Sequence, residues 1–155
     1  MIKGLHHNAY RCRDSEETRA FYEDFLGLRM VSAFEINEGQ ALHTFFEMDD
    51  GSCLAFFEVP CSPFDFKRQD SLDLHIALGV EPETFDAMLE KAKAEGREVR
   101  GPVDHRFVRS IYFRDPNGYV IELTAKRPDH ALAQDPTKNG ARAALDRFQA
   151  TKSPA

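Results

Sequence analysis

Along the 155-residue chain the spacing of hydrophobic residues changes in a fixed order, and the order occurs twice. LHHNAYRC (5–12) has strand composition. DSEETRAFYEDFLG (14–27) then switches to helical spacing, with Phe21, Tyr22, Phe25 and Leu26 on one face. Asp14 can cap that helix, Glu17 stands three residues on as in a capping box, and Gly27 stops it. Three strand-like runs follow: LRMVSAFEI, ALHTFFEM and, after the turn DDG, SCLAFFEV. PCSPFDFKRQDS, with Pro60 and Pro63, reads as a linker.

The order then restarts. LDLHIALGV (72–80) is a strand, and EPETFDAMLEKAKAEG (81–96) is a helix with Phe85, Met88, Leu89 and Ala92 on one stripe. REVRGPV, FVRSIYF and YVIELTA supply three more strands. Each half is therefore βαβββ, which predicts an α+β domain over residues 1–125 built from modules at about 4–59 and 72–125. Residues 126–155 form a polar tail with Pro128 and Pro136, in which 140–151 has the pattern of a short helix.

Composition narrows the class. Hydrophobic residues make up 42% and charged residues 30%, as in an ordinary soluble globular protein. Thirteen phenylalanines without any tryptophan suggest a well-filled core or an aromatic-lined pocket. A net charge of −6 argues against nucleic acid or an anionic membrane as partner. The opening MIKGLHHNAY has no apolar signal region and no window approaches a membrane span, so a cytoplasmic location is expected. Cys12, Cys53 and Cys61, an odd count without CxxC spacing, read as reduced thiols, mostly buried as small apolar residues.

One carboxylate stands out. YVIEL is an apolar strand with Glu122 in its middle. Superposing the repeats places HNAYRCR on HIALGVE, so His7 corresponds to His75. DDGSCLAF likewise falls on PNGYVIEL, and four residues beyond each turn glycine, Gly51 leads to Ala55 and Gly118 to Glu122. His7, His75 and Glu122 thus occupy equivalent strand positions, with Ala55 in the fourth. Two imidazoles and a carboxylate on separate strands can hold a divalent metal and leave positions open, as in 2-His-1-carboxylate iron(II) sites. Strand alternation sends His6 and His7 to opposite faces, and the match with His75 selects His7.

With paired βαβββ modules, His7 in HHNAY, FYEDFLGL, His75 in LHIAL and Glu122 in DPNGYVIEL, the chain resembles the vicinal oxygen chelate superfamily across residues 4–125. That superfamily includes glyoxalase I, fosfomycin-resistance thiol transferases, bleomycin-binding proteins and extradiol ring-cleavage dioxygenases. The resemblance implies a curved mixed sheet around a metal, with Glu122 facing inward. It also implies a small-molecule substrate with vicinal oxygens and a homodimer, with complete sites or with modules exchanged between chains.

The order His105, Tyr112, Asp115, Pro116, Gly118, Glu122 is similar to the extradiol signature, whose histidine and tyrosine lie beside a bound catecholate. On that resemblance the chain is expected to cleave a catechol-like ring with Fe(II) and oxygen, with His105 and Tyr112 catalytic; Mn, Ni or Zn would also suit the ligands. One feature departs from the pattern. Extradiol enzymes carry a further acid–base histidine near the end of the first-ligand module, where this chain reads SCLAFFEVP. His43 is the nearest histidine and is expected to face solvent. Two alternatives stand beside this reading: a glyoxalase-like lyase or isomerase, which would need Glu58 as a fourth ligand, and a non-catalytic drug-binding protein. Glu58 lies three residues past Ala55, an odd offset that puts it on the opposite face. Arg106 and Arg114 are expected on solvated edges, and Arg109 faces away from Ser110 and Tyr112 by alternation.

Overall fold

A computed structural model of the chain describes residues 1–153. The first module opens with His7 in an isolated parallel bridge to Cys53, followed by the short strand β1 (Tyr10–Arg11). Asp14 then caps helix α1 (Ser15–Arg19), its carboxylate accepting from the Glu17 amide at 2.8 Å. The helix widens into a π-helical stretch over Ala20–Phe25, which buries Phe21, Tyr22 and Phe25. Strands β2 (Arg29–Ile36), β3 (Ala41–Glu47) and β4 (Cys53–Glu58) complete it in the sheet order β1-β4-β3-β2.

The second module repeats the plan with β5 (His75–Val80), α2 (Pro82–Ala94), β6 (Val99–Asp104), β7 (Val108–Arg114) and β8 (Val120–Lys126), ordered β5-β8-β7-β6. In both sheets the first and last strands pair in parallel and the others antiparallel. Pro102 lies where the β6–β7 register shifts between Arg100 and Val103, the sort of irregularity a residue without an amide proton requires. Beyond β8 come α3 (His130–Ala133) and α4 (Ala141–Thr151); the latter exposes Leu145 and Phe148. Among the described residues no helix is long and apolar enough to cross a membrane.

The two modules share one core. Phe21, Tyr22, Phe25, Phe46, Leu54 and Phe56 from the first pack in the same cluster as Phe85, Leu89, Ile111, Phe113, Ile121 and Leu123 from the second. Phe25 meets Phe113 edge-on with ring centroids 5.3 Å apart. A side chain the size of Phe or Leu contributes about 1.5–3 kcal/mol when fully buried, so this seam is the main source of cohesion. Each sheet thereby turns its helix-covered face to the centre. Its other face is left open.

A buried polar clasp pins the seam in register. The turn Asp115–Gly118 at the head of β8 reaches into the first module: Tyr22 donates to Asp115 at 3.0 Å, Asn117 to the Thr18 hydroxyl at 3.2 Å, and the Arg13 amide to Asn117 at 2.8 Å. The Tyr119 hydroxyl donates to the Arg11 carbonyl at 2.8 Å. Sequence pattern predicts a turn here; its role as a bond between modules is a finding of the structure. Gly118 adopts φ of 92° and its backbone is covered by the linker, so a Cβ there would collide with the Lys67 carbonyl.

Candidate metal centre

Strand alternation decides which side chains reach each open face. In β5, Ile76, Leu78 and Val80 pack on the core, which turns His75 outward. In β8, Ile121 and Leu123 point to the core and Glu122 points away from it, beside His75. In β7, Ile111 and Phe113 face the core, leaving Ser110 and Tyr112 with Glu122, and Tyr112 is the direct cross-strand neighbour of Glu122. The carboxylate in the middle of YVIEL therefore does not face bulk water. It is 7% exposed and its Oε2 lies 3.3 Å from His75 Nε2.

That contact has a definite electrostatic meaning. The Ser71 carbonyl lies 2.6 Å from His75 Nδ1 and can only accept, so Nδ1 carries a proton. A neutral ring then directs its Nε2 lone pair at a carboxylate oxygen. Two acceptors face each other, and a cation belongs between them, either a proton or a metal ion. An imidazole fixed by a main-chain carbonyl on its far nitrogen is the usual support for a metal-bound histidine. The donor set fits a divalent metal.

His105 and Tyr112 also come together, His105 Nε2 lying 2.8 Å from the Tyr112 hydroxyl. Burial raises the Tyr112 pKa above its usual value, with the Glu122 carboxylate adding to the effect. Arg100 covers the same ring, its guanidinium 4.1 Å from the centroid. Tyr112 thus joins the His75–Glu122 pair to a second set of polar groups.

His7 stands on the other sheet. Its backbone is held by the bridge to Cys53, and the adjacent Asn8 accepts from the Ala55 amide at 2.8 Å. Its ring neighbours are His6, His43 and Phe45. The chain at 5–9 is not a regular strand, so His6 does not turn to the opposite side: the Nδ1 atoms of His6 and His7 are 2.7 Å apart. Among the described residues no three His, Cys, Asp or Glu side chains converge as a metal-holding group. The structure brings His75 to Glu122 and His105 to Tyr112, and leaves His7 on a separate face.

The first-module open face corrects two expectations. His43 does not face solvent; it is 7% exposed, stacked on Phe57 with centroids 3.7 Å apart, and bound through Nδ1 to the Phe56 carbonyl at 2.9 Å. Its partner in β4 is Phe57, so it shares the side of Ala55 and His7. The signal available in the sequence was its alternation with Thr44, whose neighbours Leu42 and Phe46 mark the helix side. The cysteines are the second correction: Cys12 is buried, but Cys53 is half-buried and Cys61 exposed. Glu58 behaves as its odd offset requires, turning to the helix side to accept from the Ser15 amide at 2.7 Å.

The arginines divide by face. Arg109 lies on the helix side, over the Phe85 ring and paired with Asp86 at 2.8 Å. Arg106 occupies a turn with φ of 73°. Arg114 is no free edge residue, since it donates to the carbonyls of Gln69 and Gly118.

The Glyoxalase/Bleomycin resistance protein/Dioxygenase superfamily model matches residues 4–123. The chain is 30% identical over 121 residues to a lactoylglutathione lyase of Haemophilus influenzae, covering 76% of this chain and 88% of the relative. It is 27% identical over 127 residues to the metallothiol transferase FosB of Shouchella clausii, covering 79% and 80%. Among solved structures, a mutant of the fosfomycin resistance protein FosX of Listeria monocytogenes, complexed with Mn(II) and 1S,2S-dihydroxypropylphosphonic acid, superposes with a TM-score of 0.65 at 26% identity, over 85% of this chain and 99% of that one. A glyoxalase/dioxygenase from Nostoc punctiforme gives a TM-score of 0.65 at 28% identity, over 81% and 92%. These relatives overturn the extradiol dioxygenase expectation and with it the assignment as an oxidoreductase: the curated proteins that the chain resembles are lyases and a thiol transferase. A histidine and a tyrosine ahead of DPNG resemble the extradiol signature without implying ring cleavage.

Proposed function

The chain belongs to the glyoxalase/bleomycin resistance protein/dioxygenase superfamily, and from that premise we propose that it is a metal-dependent, redox-neutral enzyme, a glyoxalase-like lyase or a transferase, acting on a small molecule with two adjacent oxygens. The observation that carries this reading is the His75–Glu122 pair at 3.3 Å, with Nδ1 of the ring already committed to Ser71. His7 is the third ligand in this proposal. Because it lies on the open face of the other sheet, it is supplied by a second copy of the chain, which makes the enzyme a dimer with shared sites.

A divalent metal there would polarise the substrate oxygens and acidify the positions beside them. The ligands suit Mn(II), Ni(II), Zn(II) or Fe(II) alike. Glu122 and His75 hold the second-module half of the centre. Tyr112 keeps its proton, because burial and the Glu122 charge both favour the neutral phenol, and donates it towards a substrate oxygen. With that proton directed at the substrate, the Tyr112 oxygen accepts from His105 Nε2–H at 2.8 Å. Ala55 brings no carboxylate and Glu58 is turned away, so three protein ligands leave room for both substrate oxygens.

The test is turnover by protein loaded in turn with each metal. Two substrates follow from the relatives: the glutathione hemithioacetal isomeric with lactoylglutathione, and fosfomycin with a thiol or with water. Metal-dependent turnover of either, reduced at least about 100-fold in His75→Ala, is expected from loss of a ligand. Stoichiometric metal without turnover would remove the lyase and transferase assignment for these substrates. Failure to bind metal would remove the proposal.

A further inference from the structure

Helix α4 (Ala141–Thr151) lies beyond residue 123, where the superfamily match ends. Ala141, Ala144, Leu145 and Phe148 fall at i, i+3, i+4 and i+7 and so form one apolar stripe. None of them is buried; Leu145 is 49% and Phe148 62% exposed. A helix shorter than about 12–15 residues is marginal in water and draws its stability from packing an apolar face. Among the described residues, its own chain supplies no such packing to α4.

Charge indicates what covers it. Residues 126–155 hold six Lys or Arg and three Asp, a net charge of +3. Residues 1–125 hold fourteen against twenty-three, a net charge of −9. By the helical period Arg142 and Arg147 flank the stripe on its two sides. Arg142 is paired with Asp146 within the helix, and among the described residues the Arg147 guanidinium has no ion-pair partner.

A surface of matching character lies on the first module. Met30 and Ala33 of the edge strand β2, with Leu42 of β3, floor a groove of about 350 Å³ beside the start of α1. Their register puts them on the helix side with Phe46, away from the open face that carries His43. The carboxylates of Asp14, Glu16 and Glu58 rim the groove. Arg19, the one cation of that rim, is already engaged by Glu16, Glu23 and Asp24. The volume is within the roughly 300–1,000 Å³ of cavities that take a ligand.

We propose that α4 of one copy docks in this groove of a second copy, with Leu145 and Phe148 on the apolar floor and Arg142 and Arg147 over the acidic rim. The mode is that of an amphipathic helix laid in a groove, anchored at i, i+3, i+4 and i+7. Helix and groove belong to the same chain and carry opposite charge. Two copies related by a twofold axis therefore exchange tails, and both uncovered surfaces are buried at once. An anionic membrane would suit the helix but would repel a body of net charge −9. The contact involves neither open face, so it is independent of the metal-site reading above.

Sedimentation equilibrium of metal-free, full-length protein tests it. Wild type is expected to dimerise, and Phe148→Asp and Ala33→Asp should each weaken the dimer by about tenfold or more, as for loss of a central apolar anchor. Both positions are exposed, and far-UV circular dichroism checks that each variant is folded. Added salt should weaken wild type, since opposite charges meet. An equimolar mixture of the two variants should associate more tightly than either alone, because the mixed dimer keeps one intact helix–groove contact. A wild type that stays monomeric, a dimer indifferent to Phe148→Asp, or a mixture no tighter than its components would each overturn the proposal. A concentration-independent loss of unfolding stability in Phe148→Asp would place α4 on its own chain instead. Binding of monomeric wild type to anionic phospholipid vesicles, lost in Phe148→Asp, would place it on a membrane. Either result overturns the exchange between copies. Failure of the shared metal site would leave all these readings unchanged, since no metal is present.

Discussion

Tyr22 of the first module donates its hydroxyl to the Asp115 carboxylate of the second at 3.0 Å, and neither side chain is open to solvent. The contact spans 93 residues of sequence. It fixes how the helix of one repeat sits on the hairpin turn of the other, and so the angle at which the two open faces are presented.

Tyr22→Phe removes the hydroxyl and keeps the ring against Phe46 and Phe56. Its loss leaves a buried carboxylate one donor short, and the expected cost is about 1.5–3 kcal/mol in urea unfolding. A cost under a few tenths of a kcal/mol would show that the clasp is carried by Asn117 and Tyr119 instead.

Burial raises the Asp115 pKa above its ordinary 3.8, although Asn117, Tyr119 and Tyr22 all donate to it and pull the other way. The folded protein therefore holds that proton more tightly than the unfolded chain does. The resulting stabilisation is complete below the unfolded pKa and is lost as pH rises through the folded one. Wild type should gain stability relative to Asp115→Asn as pH falls from 7 towards 4. Denaturant melts of the two proteins across that range check the sign, and a difference moving the other way would contradict it.

If His7 and the His75–Glu122 pair meet across two copies, defects in them must complement. His7→Ala and His75→Ala should each bind metal weakly alone. Mixed, unfolded and refolded together, they should recover about a quarter of the sites, since half the dimers are mixed and each has one intact site. Recovery of no metal binding would place all ligands within one chain or remove His7 from the set.

Glu58→Ala separates the two duties open to that carboxylate. Its observed contact is with the Ser15 amide at the start of α1, so a loss of about 1 kcal/mol in stability is expected, as for a removed helix cap. Metal affinity should stay within twofold of wild type. A large drop in affinity would identify it as a ligand after all.

His43→Phe keeps an aromatic ring between Phe45 and Phe57 while deleting the bond to the Phe56 carbonyl. Phe56 keeps Thr44 as its ladder partner in β3, so the loss of this one bond is expected to cost about 0.5–1.5 kcal/mol, and unfolding measurements should fall in that range. A stabilised variant would mean that the carbonyl finds water.

Much of this architecture was legible because both repeats obey simple periodicities. Phe85, Met88, Leu89 and Ala92 announced α2, and Asp14 with Glu17 announced the start of α1. The count from Gly51 and Gly118 placed Ala55 and Glu122 in register and turned Glu58 away. What the sequence concealed depends on packing between modules. The π-helical widening at Ala20–Phe25 leaves no mark in a pattern of apolar residues. The DPNG turn reads as a hairpin because its Asp and Asn suit turns, and only the folded seam shows Asp115 and Asn117 facing Tyr22 and Thr18. His43 was misjudged because a polar residue in a strand suggests water, whereas four aromatic rings enclose it. The separation of His7 from His75 is a consequence of the shared core, which no local pattern encodes.

The helix-side position of Glu58 carries one more implication. A strand assigns its side chains by parity, so removing or inserting a single residue between Ala55 and Glu58 would transfer the carboxylate from the helix to the face of His7. The chain thus holds a dormant acid one register step away from a different coordination sphere. A change of chemistry in this fold needs no new functional group, only a frameshift of the backbone by one pleat.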